Sequence, residues 1–315
     1  MFKKNYLLVL AFGLTLQGCV VQDYFINIDL KKAETAFEKK DFKSAILDYN
    51  KVIKTKPDMF EAYYKRGLAK FSVGQTKEGL QDLDIAIKLN SNSAESYNQR
   101  GSMKASMQDI KGAIKDFDQA IKLNPKLVEA YNNRAFAKLS EQNIKDAISD
   151  FDKSIELEPN LAEAYNNRCF VYLQTGSLDK ALTDCNKAIE LKPNFANAYT
   201  NRAFIYLTDK KPKEALGDFN KVIELNPKSV LAYNDRLMVR KDFKDIIEDC
   251  NKIIELDPNY ALAYNNRGVA RANTKDIKGA KADFQKAKEL FELQKNKGPE
   301  YQLAVDNLKK LATLK

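Results

Sequence analysis

Residues 127–159 read LVEAYNNRAFAKLSEQNIKDAISDFDKSIELEP, and residues 161–193 read LAEAYNNRCFVYLQTGSLDKALTDCNKAIELKP. The second string is the first displaced by 34 residues, and the same phase runs along most of the chain. Tyr63, Tyr97, Tyr131, Tyr165, Tyr199 and Tyr233 are each 34 residues apart, and Tyr264 follows after 31. Pro57, Pro125, Pro159, Pro193, Pro227 and Pro258 keep step with them, with Ser91 in the missing slot. A fixed period of this size marks a solenoid, in which no unit buries its apolar face alone and neighbours stack to do so. Proline lacks an N–H and clashes with the preceding turn, so one helix ends there and another begins. Within 127–159, two amphipathic stretches (Glu129–Ser140 and Lys145–Leu157) flank a polar turn at Glu141–Asn143, which predicts a helical hairpin.

The spacing resembles the tetratricopeptide repeat, a helix-turn-helix unit of about 34 residues. By that resemblance the fourth position is aromatic, the eighth, twentieth and twenty-seventh are small, and the thirty-second is Pro. The units are then 26–59, 60–93, 94–127, 128–161, 162–195, 196–229, 230–260 and 261–294. Gly67, Gly101, Ala135, Cys169, Ala203 and Gly268 fill the eighth position, and Ala113, Ala147, Ala181, Ala215 and Ala280 the twentieth. The fold implied is all-α: a right-handed α-α superhelix of about eight hairpins, with residues 299–315 as a capping helix. In that last segment Tyr301, Ala304, Val305, Leu308 and Leu311 share one face. It would cover the apolar side that a terminal hairpin leaves open. The 31-residue interval predicts a local break in regularity at residues 236–246.

Composition agrees and removes several chemistries. The chain has 12 Gly and 8 Pro, too few for an all-β fold, and no His. Imidazole-dependent hydrolases and the common zinc sites are therefore excluded. Cys19, Cys169, Cys185 and Cys250 have no CxxC spacing, so neither a zinc ribbon nor a thioredoxin-type pair is supported. No cofactor and no enzymatic activity is expected.

Met1–Gly18 is MFKKNYLLVLAFGLTLQG: Lys3 and Lys4, an apolar run from Tyr6 to Leu16, then Gly18 before Cys19. This is the pattern of a signal peptide, with an apolar run too short to span a bilayer. Leu16-Gln17-Gly18-Cys19 resembles a bacterial lipobox, although Gln17 stands where a smaller residue is usual. The resemblance implies lipidation of Cys19, a tether at 19–25, and a membrane lipoprotein facing the periplasm or the cell exterior. The formal net charge of +9 would favour anionic headgroups. Lysines on solvated outer faces are the blander reading.

Arg66, Arg100, Arg134, Arg168, Arg202, Arg236 and Arg267 recur at the seventh position. Asp48, Asp82, Asp116, Asp150, Asp184, Asp218, Asp249 and Asp283 recur at the twenty-third. Opposite charges repeated in one phase predict inter-helix ion pairs, among them Arg134–Asp150, Arg168–Asp184 and Arg202–Asp218. A matching Asp row would neutralise any phosphate-binding row of arginines, so no nucleic-acid partner is expected.

By resemblance, positions two, five, six, nine and twelve of each first helix face a concave groove. Here they carry Asn132, Asn133, Phe136 and Leu139 in the fourth unit, and Asn166, Asn167, Phe170 and Leu173 in the fifth. Asn201, Phe204 and Leu207 follow in the sixth, and Asn265 and Asn266 in the eighth. Side-chain amides both donate and accept hydrogen bonds, so a row of them suits an extended peptide backbone of any sequence. They would equally serve to cap or bridge adjacent helices. The Phe and Leu residues form either an apolar stripe in the groove or part of the core. Cys169 and Cys185 fall on facing positions of one hairpin, where an exported protein would oxidise them and a reduced one would use them as small hydrophobes. The implied function is a membrane-anchored scaffold that holds an extended segment of a partner protein. The alternative is a structural or surface lipoprotein that contacts anionic lipid or glycan through basic faces.

Overall fold

The computed structural model describes residues 26–313; the leader, Cys19 and the tether lie outside them. The described residues form seventeen helices and no strand, in two compact units that divide between Pro159 and Asn160. The first unit contains α1 (26–38), α2 (Phe42–Thr55), α3 (Phe60–Ser72), α4 (Thr76–Leu89), α5 (Ala94–Ser106), α6 (Ile110–Leu123), α7 (Val128–Ser140) and α8 (Ile144–Leu157). The second contains α9 (Ala162–Gln174), α10 (Leu178–Leu191), α11 (Ala196–Thr208), α12 (Pro212–Leu225), α13 (Val230–Leu237), α14 (Phe243–Leu256), α15 (Ala261–Asn273), α16 (Ile277–Leu293) and α17 (Pro299–Thr313).

Local chemistry sets the ends of each hairpin. A residue of positive φ closes the first helix at Lys40, Gly74, Gln108, Gln142, Gly176, Lys210 and Lys275, in a fixed phase and in every hairpin but α13–α14. The side chains of Asp41, Asp109, Asn143 and Asp276 then accept from backbone N–H groups of the second helix, satisfying donors that have no partner within it. The repeating Tyr and Pro are parts of one device: the phenols of Tyr131, Tyr199, Tyr233 and Tyr264 donate to the carbonyls of Pro125, Pro193, Pro227 and Pro258, at 3.2–3.3 Å. Each bond pins the entry to a first helix against the turn that precedes it.

The core of most hairpins is a small residue on the first helix packed on a large one from the second. A Cβ at Gly101 would lie 2.7 Å from the Phe117 ring, and one at Gly268 would lie 2.7 Å from Phe284, so these helices approach closely only because glycine is there. Ala135 with Phe151 and Ala203 with Phe219 fill the same places, all fully buried. In the α9–α10 hairpin Cys169 and Cys185 take these two positions and form a disulfide, with a Cα–Cα distance of 5.5 Å.

The 31-residue interval shortens the first helix of this hairpin by more than the three residues lost and lengthens the link after it. α13 has 8 residues where α11 and α15 have 13, whereas α14 keeps the usual 14. Residues 238–242 link α13 to α14 without the positive-φ residue of the other hairpins. At the C-terminal end Ala304 of α17 is buried with Ala261, Ala287, Leu290 and Phe291, and Tyr301 packs against them, so α17 covers the face of α15 and α16.

Candidate functional site

The recurrent Arg and Asp prove to be structural. Arg134 Nε and Nη2 donate to Asp150 at 2.9 and 2.6 Å. Arg168 meets Asp184 at 2.7 Å through both nitrogens, and Arg202 meets Asp218 at 2.8 and 2.7 Å. The carboxylates are buried, and the hydrogen bonds that Arg100 and Arg202 donate to Asp116 and Asp218 raise the arginine pKa values against the opposing effect of burial. Each arginine also stacks on the tyrosine three residues before it, 5.6 Å from the ring centre for Arg134 over Tyr131.

Two further partners escaped the sequence reading. The free Nη1 of Arg66, Arg100, Arg134, Arg202, Arg236 and Arg267 reaches back to Asn50, Asp84, Asp118, Asn186, Asn220 and Asn251 on the preceding hairpin, at 2.7–2.8 Å. A second cation meets the buried carboxylate in several units, as with Lys138 Nζ at 2.8 Å from Asp150. The signal was present as Asn or Asp two residues after every in-phase Asp except the last, Asp283. These arginines are committed within the array and offer nothing to an outside phosphate.

The amides divide by position. The sixth-position Asn133 donates to Asn98 Oδ1 at 3.0 Å and to Ser102 at 3.3 Å, and Asn201 donates to Asn166 Oδ1 at 3.0 Å. These residues therefore bridge neighbouring first helices. The fifth-position amides sit inside: the acceptors Asn98 and Asn166 are 4% and 7% exposed, and Asn265, whose Oδ1 is unpaired, is 2% exposed. Asn166 and Asn265 are thereby withdrawn from the contact face, because a fifth-position amide points into the space between helices. Asn132 is half-buried, with its Nδ2 on the Val128 carbonyl at 3.4 Å and its buried Oδ1 unpaired. The sixth-position residues Asn133, Asn167, Asn201 and Asn266 are half-buried. The Asn201 bond uses a single N–H, which leaves a second donor and the carbonyl, whereas Asn133, with its amide nitrogen on both Asn98 and Ser102, keeps its carbonyl.

The apolar members divide as well. Phe136 and Phe170 are 44% and 41% exposed. Phe136 rests edge-on against buried Phe151 at 5.5 Å, while Phe170 stands on the hairpin whose centre is the disulfide. Phe204 is half-buried and edge-on to Phe219 at 5.7 Å. Leu139 is half-buried; Leu173 packs on the Cys169–Cys185 cluster and Leu207 on Ala203, Ala215 and Phe219. In the first unit, Asn133, Phe136, Ser102 and Ser140 line a shallow cavity of about 290 Å³. In the second, Asn167, Phe170, Asn201 and Phe204 belong to the corresponding faces of α9 and α11.

On the second helices several lysines are paired locally. Lys153, Lys187, Lys221 and Lys252 pair with Glu156, Glu190, Glu224 and Glu255 at 2.6–2.9 Å along their own helices. Such pairs weaken the case for these helices as basic surfaces toward anionic lipid or glycan.

Models of the tetratricopeptide repeat match residues 128–161, 162–195, 196–229 and 261–292, and a TPR repeat model matches 34–74 and 101–140. Together they cover more than half of the chain. No curated protein matches. Among solved structures, a tetratricopeptide repeat protein from Parabacteroides merdae is 19% identical with a TM-score of 0.56, over 91% of this chain and 99% of its own. Pseudomonas aeruginosa pilF is 14% identical with a TM-score of 0.60, over 70% and 99%. YrrB, described as a TPR protein with an unusual peptide-binding site, is 22% identical with a TM-score of 0.47, over 60% and 97%. At these identities the likeness concerns the fold.

Proposed function

Since the chain belongs to the tetratricopeptide repeat family and is a scaffold for protein–protein interaction, we propose that it holds an extended segment of a partner protein against its first helices. The observation that carries this reading is the pairing of exposed aromatics with half-buried amides: Phe136 beside Asn133, and Phe170 beside Asn167. An extended peptide needs hydrogen-bonding partners for its backbone at each turn of the surface and apolar contacts between them. A few aromatic anchors commonly dominate such an interface. The contact residues are Asn133 and Phe136 in the first unit and, in the second, Asn167, Phe170 and Asn201, with Phe204 contributing its open edge.

The scaffold works at a membrane, anchored through lipidated Cys19 and exposed to the periplasm or the cell exterior. The leader and Leu16-Gln17-Gly18-Cys19 support this, and so does the Cys169–Cys185 disulfide, since such bonds persist in oxidising compartments. Two experiments separate the claims. Phe136→Ser with Phe170→Ser should abolish capture of a partner at unchanged helicity, and should do so equally at low and high salt. Retained capture would move the binding surface elsewhere. Metabolic labelling with a fatty-acid analogue should mark the wild type and fail on Cys19→Ala; equal labelling of the two would refute the anchor.

A further inference from the structure

The shortened α13 leaves a cavity of about 470 Å³ in the second unit, lined by Asn234, Met238, Phe243, Asn266, Val269 and Leu303 among others, none of them charged. Its apolar walls are open to water: Met238 is 62% exposed, Phe243 38%, Val269 37% and Leu303 47%. The cause lies in the chain. Met238 occupies the ninth position, but α13 ends at Leu237, and the helical residues that extend α11 and α15 beyond that point are missing here. Leu303 of the terminal helix supplies a wall that ordinary hairpins lack.

We propose that this cavity is an anchor pocket for a bulky aliphatic or aromatic side chain carried by an uncharged, extended segment of the partner. The proposal rests on the peptide-holding reading above and specifies the chemistry of what is held. Asn234 and Asn266 occupy the fifth and sixth positions of successive hairpins, the pair that bonds as Asn98 with Asn133 and as Asn166 with Asn201. At this step both amides line the cavity instead, and among the described residues no hydrogen bond joins them. Two amides with donors and acceptors to spare thus border an apolar space of ligand-pocket size.

Extended peptide meets both demands at once, with backbone on the amides and a side chain in the cavity. An acyl chain would bury those amides without partners, and a charged side chain would lose its hydration with no counter-charge in the lining. The second positions follow the same change: Glu163 and Asn197 in α9 and α11 give way to Leu231, 66% exposed, in α13.

The test uses the full mature chain labelled with [ε-¹³C]methionine, titrated with Gly-Ser host peptides carrying paired Leu and Phe, paired Asp or paired Lys. The Met238 methyl resonance, assigned by its loss in Met238→Leu, should move with the Leu/Phe peptides alone. Val269→Asp and Leu303→Glu, both at exposed positions, should weaken that binding at least tenfold at unchanged circular dichroism.

If those variants bind as the wild type while Phe170→Ser abolishes binding, the pocket is refuted and the groove stands. If they abolish binding and Phe170→Ser has no effect, the pocket stands and the broader groove reading fails. A Met238 methyl that ignores every peptide, that responds to decanoate instead, or that shifts on dilution of the protein alone would overturn the proposal in favour of no ligand, an acyl chain or a second copy.

Discussion

Replacing the disulfide with the packing pair of its neighbours tests how the array is held together. Cys169 and Cys185 stand where Ala135 and Phe151, or Ala203 and Phe219, stand in flanking hairpins, and all six residues are fully buried. The bond spans 16 residues, and a loop of that size contributes about 3 kcal/mol in the chain-entropy account. Reduction should therefore raise amide exchange in α9 and α10 about 100-fold, with smaller changes elsewhere, because a repeat feels chiefly its neighbours. Cys169→Ala with Cys185→Phe loses the bond but gains a buried ring of about 1.5–3 kcal/mol. That variant should lie within about 2 kcal/mol of the oxidised wild type and be insensitive to reductant. Exchange measured by mass spectrometry with and without reductant gives the comparison, and thiol titration of the denatured, unreduced protein gives the redox state. Three reactive thiols from Cys169, Cys185 and Cys250, or exchange in α9 and α10 indifferent to reductant, would refute the reasoning.

Arg202→Met should cost about 3–5 kcal/mol, since it strands buried Asp218 without a cation; Arg134→Met should cost about 1 kcal/mol less, because Lys138 still meets Asp150. Exchange in the affected hairpins reads both. Truncating buried Phe151 or Phe219 to Ala should cost about 3–5 kcal/mol, whereas Phe170→Ser, at a ring 41% exposed, should cost under about 2 kcal/mol; equal losses in thermal melts would make Phe170 a core residue. Burial pushes the Cys250 thiol up to about 12, so it should resist Ellman's reagent at pH 9 until the chain unfolds. The same raised pKa stabilises the fold below the ordinary thiol value and withdraws that stability as pH rises toward 12.

The fold was legible because the features that define it repeat: the Tyr and Pro periods, and the Arg and Asp that keep step with them, each appear often enough to outweigh local exceptions. Pairing between hairpins was harder to read. The second partner of each arginine, such as Asn186 for Arg202, and the Asn201–Asn166 bridge depend on which residues stacking brings together across 16 or 35 positions. For the amides two outcomes were equally compatible with the pattern, and geometry assigned the fifth position inward and the sixth outward. Periodicity also showed that three residues were missing near 236–246 but not which helix had lost them. The cysteines occupied ordinary packing positions, so spacing alone did not distinguish a bond from contact.

Site-specific photocross-linking in cells addresses the scaffold most directly. A benzophenone amino acid would replace Phe136 or Phe170 on the first helices or Met238 just beyond α13, and Lys153 or Lys187 on the second helices. The account predicts cross-links from the first set alone, to a single partner protein, with apolar residues captured at Met238. Cross-links that arise from Lys153 and Lys187 while Phe136 and Phe170 yield none would contradict it.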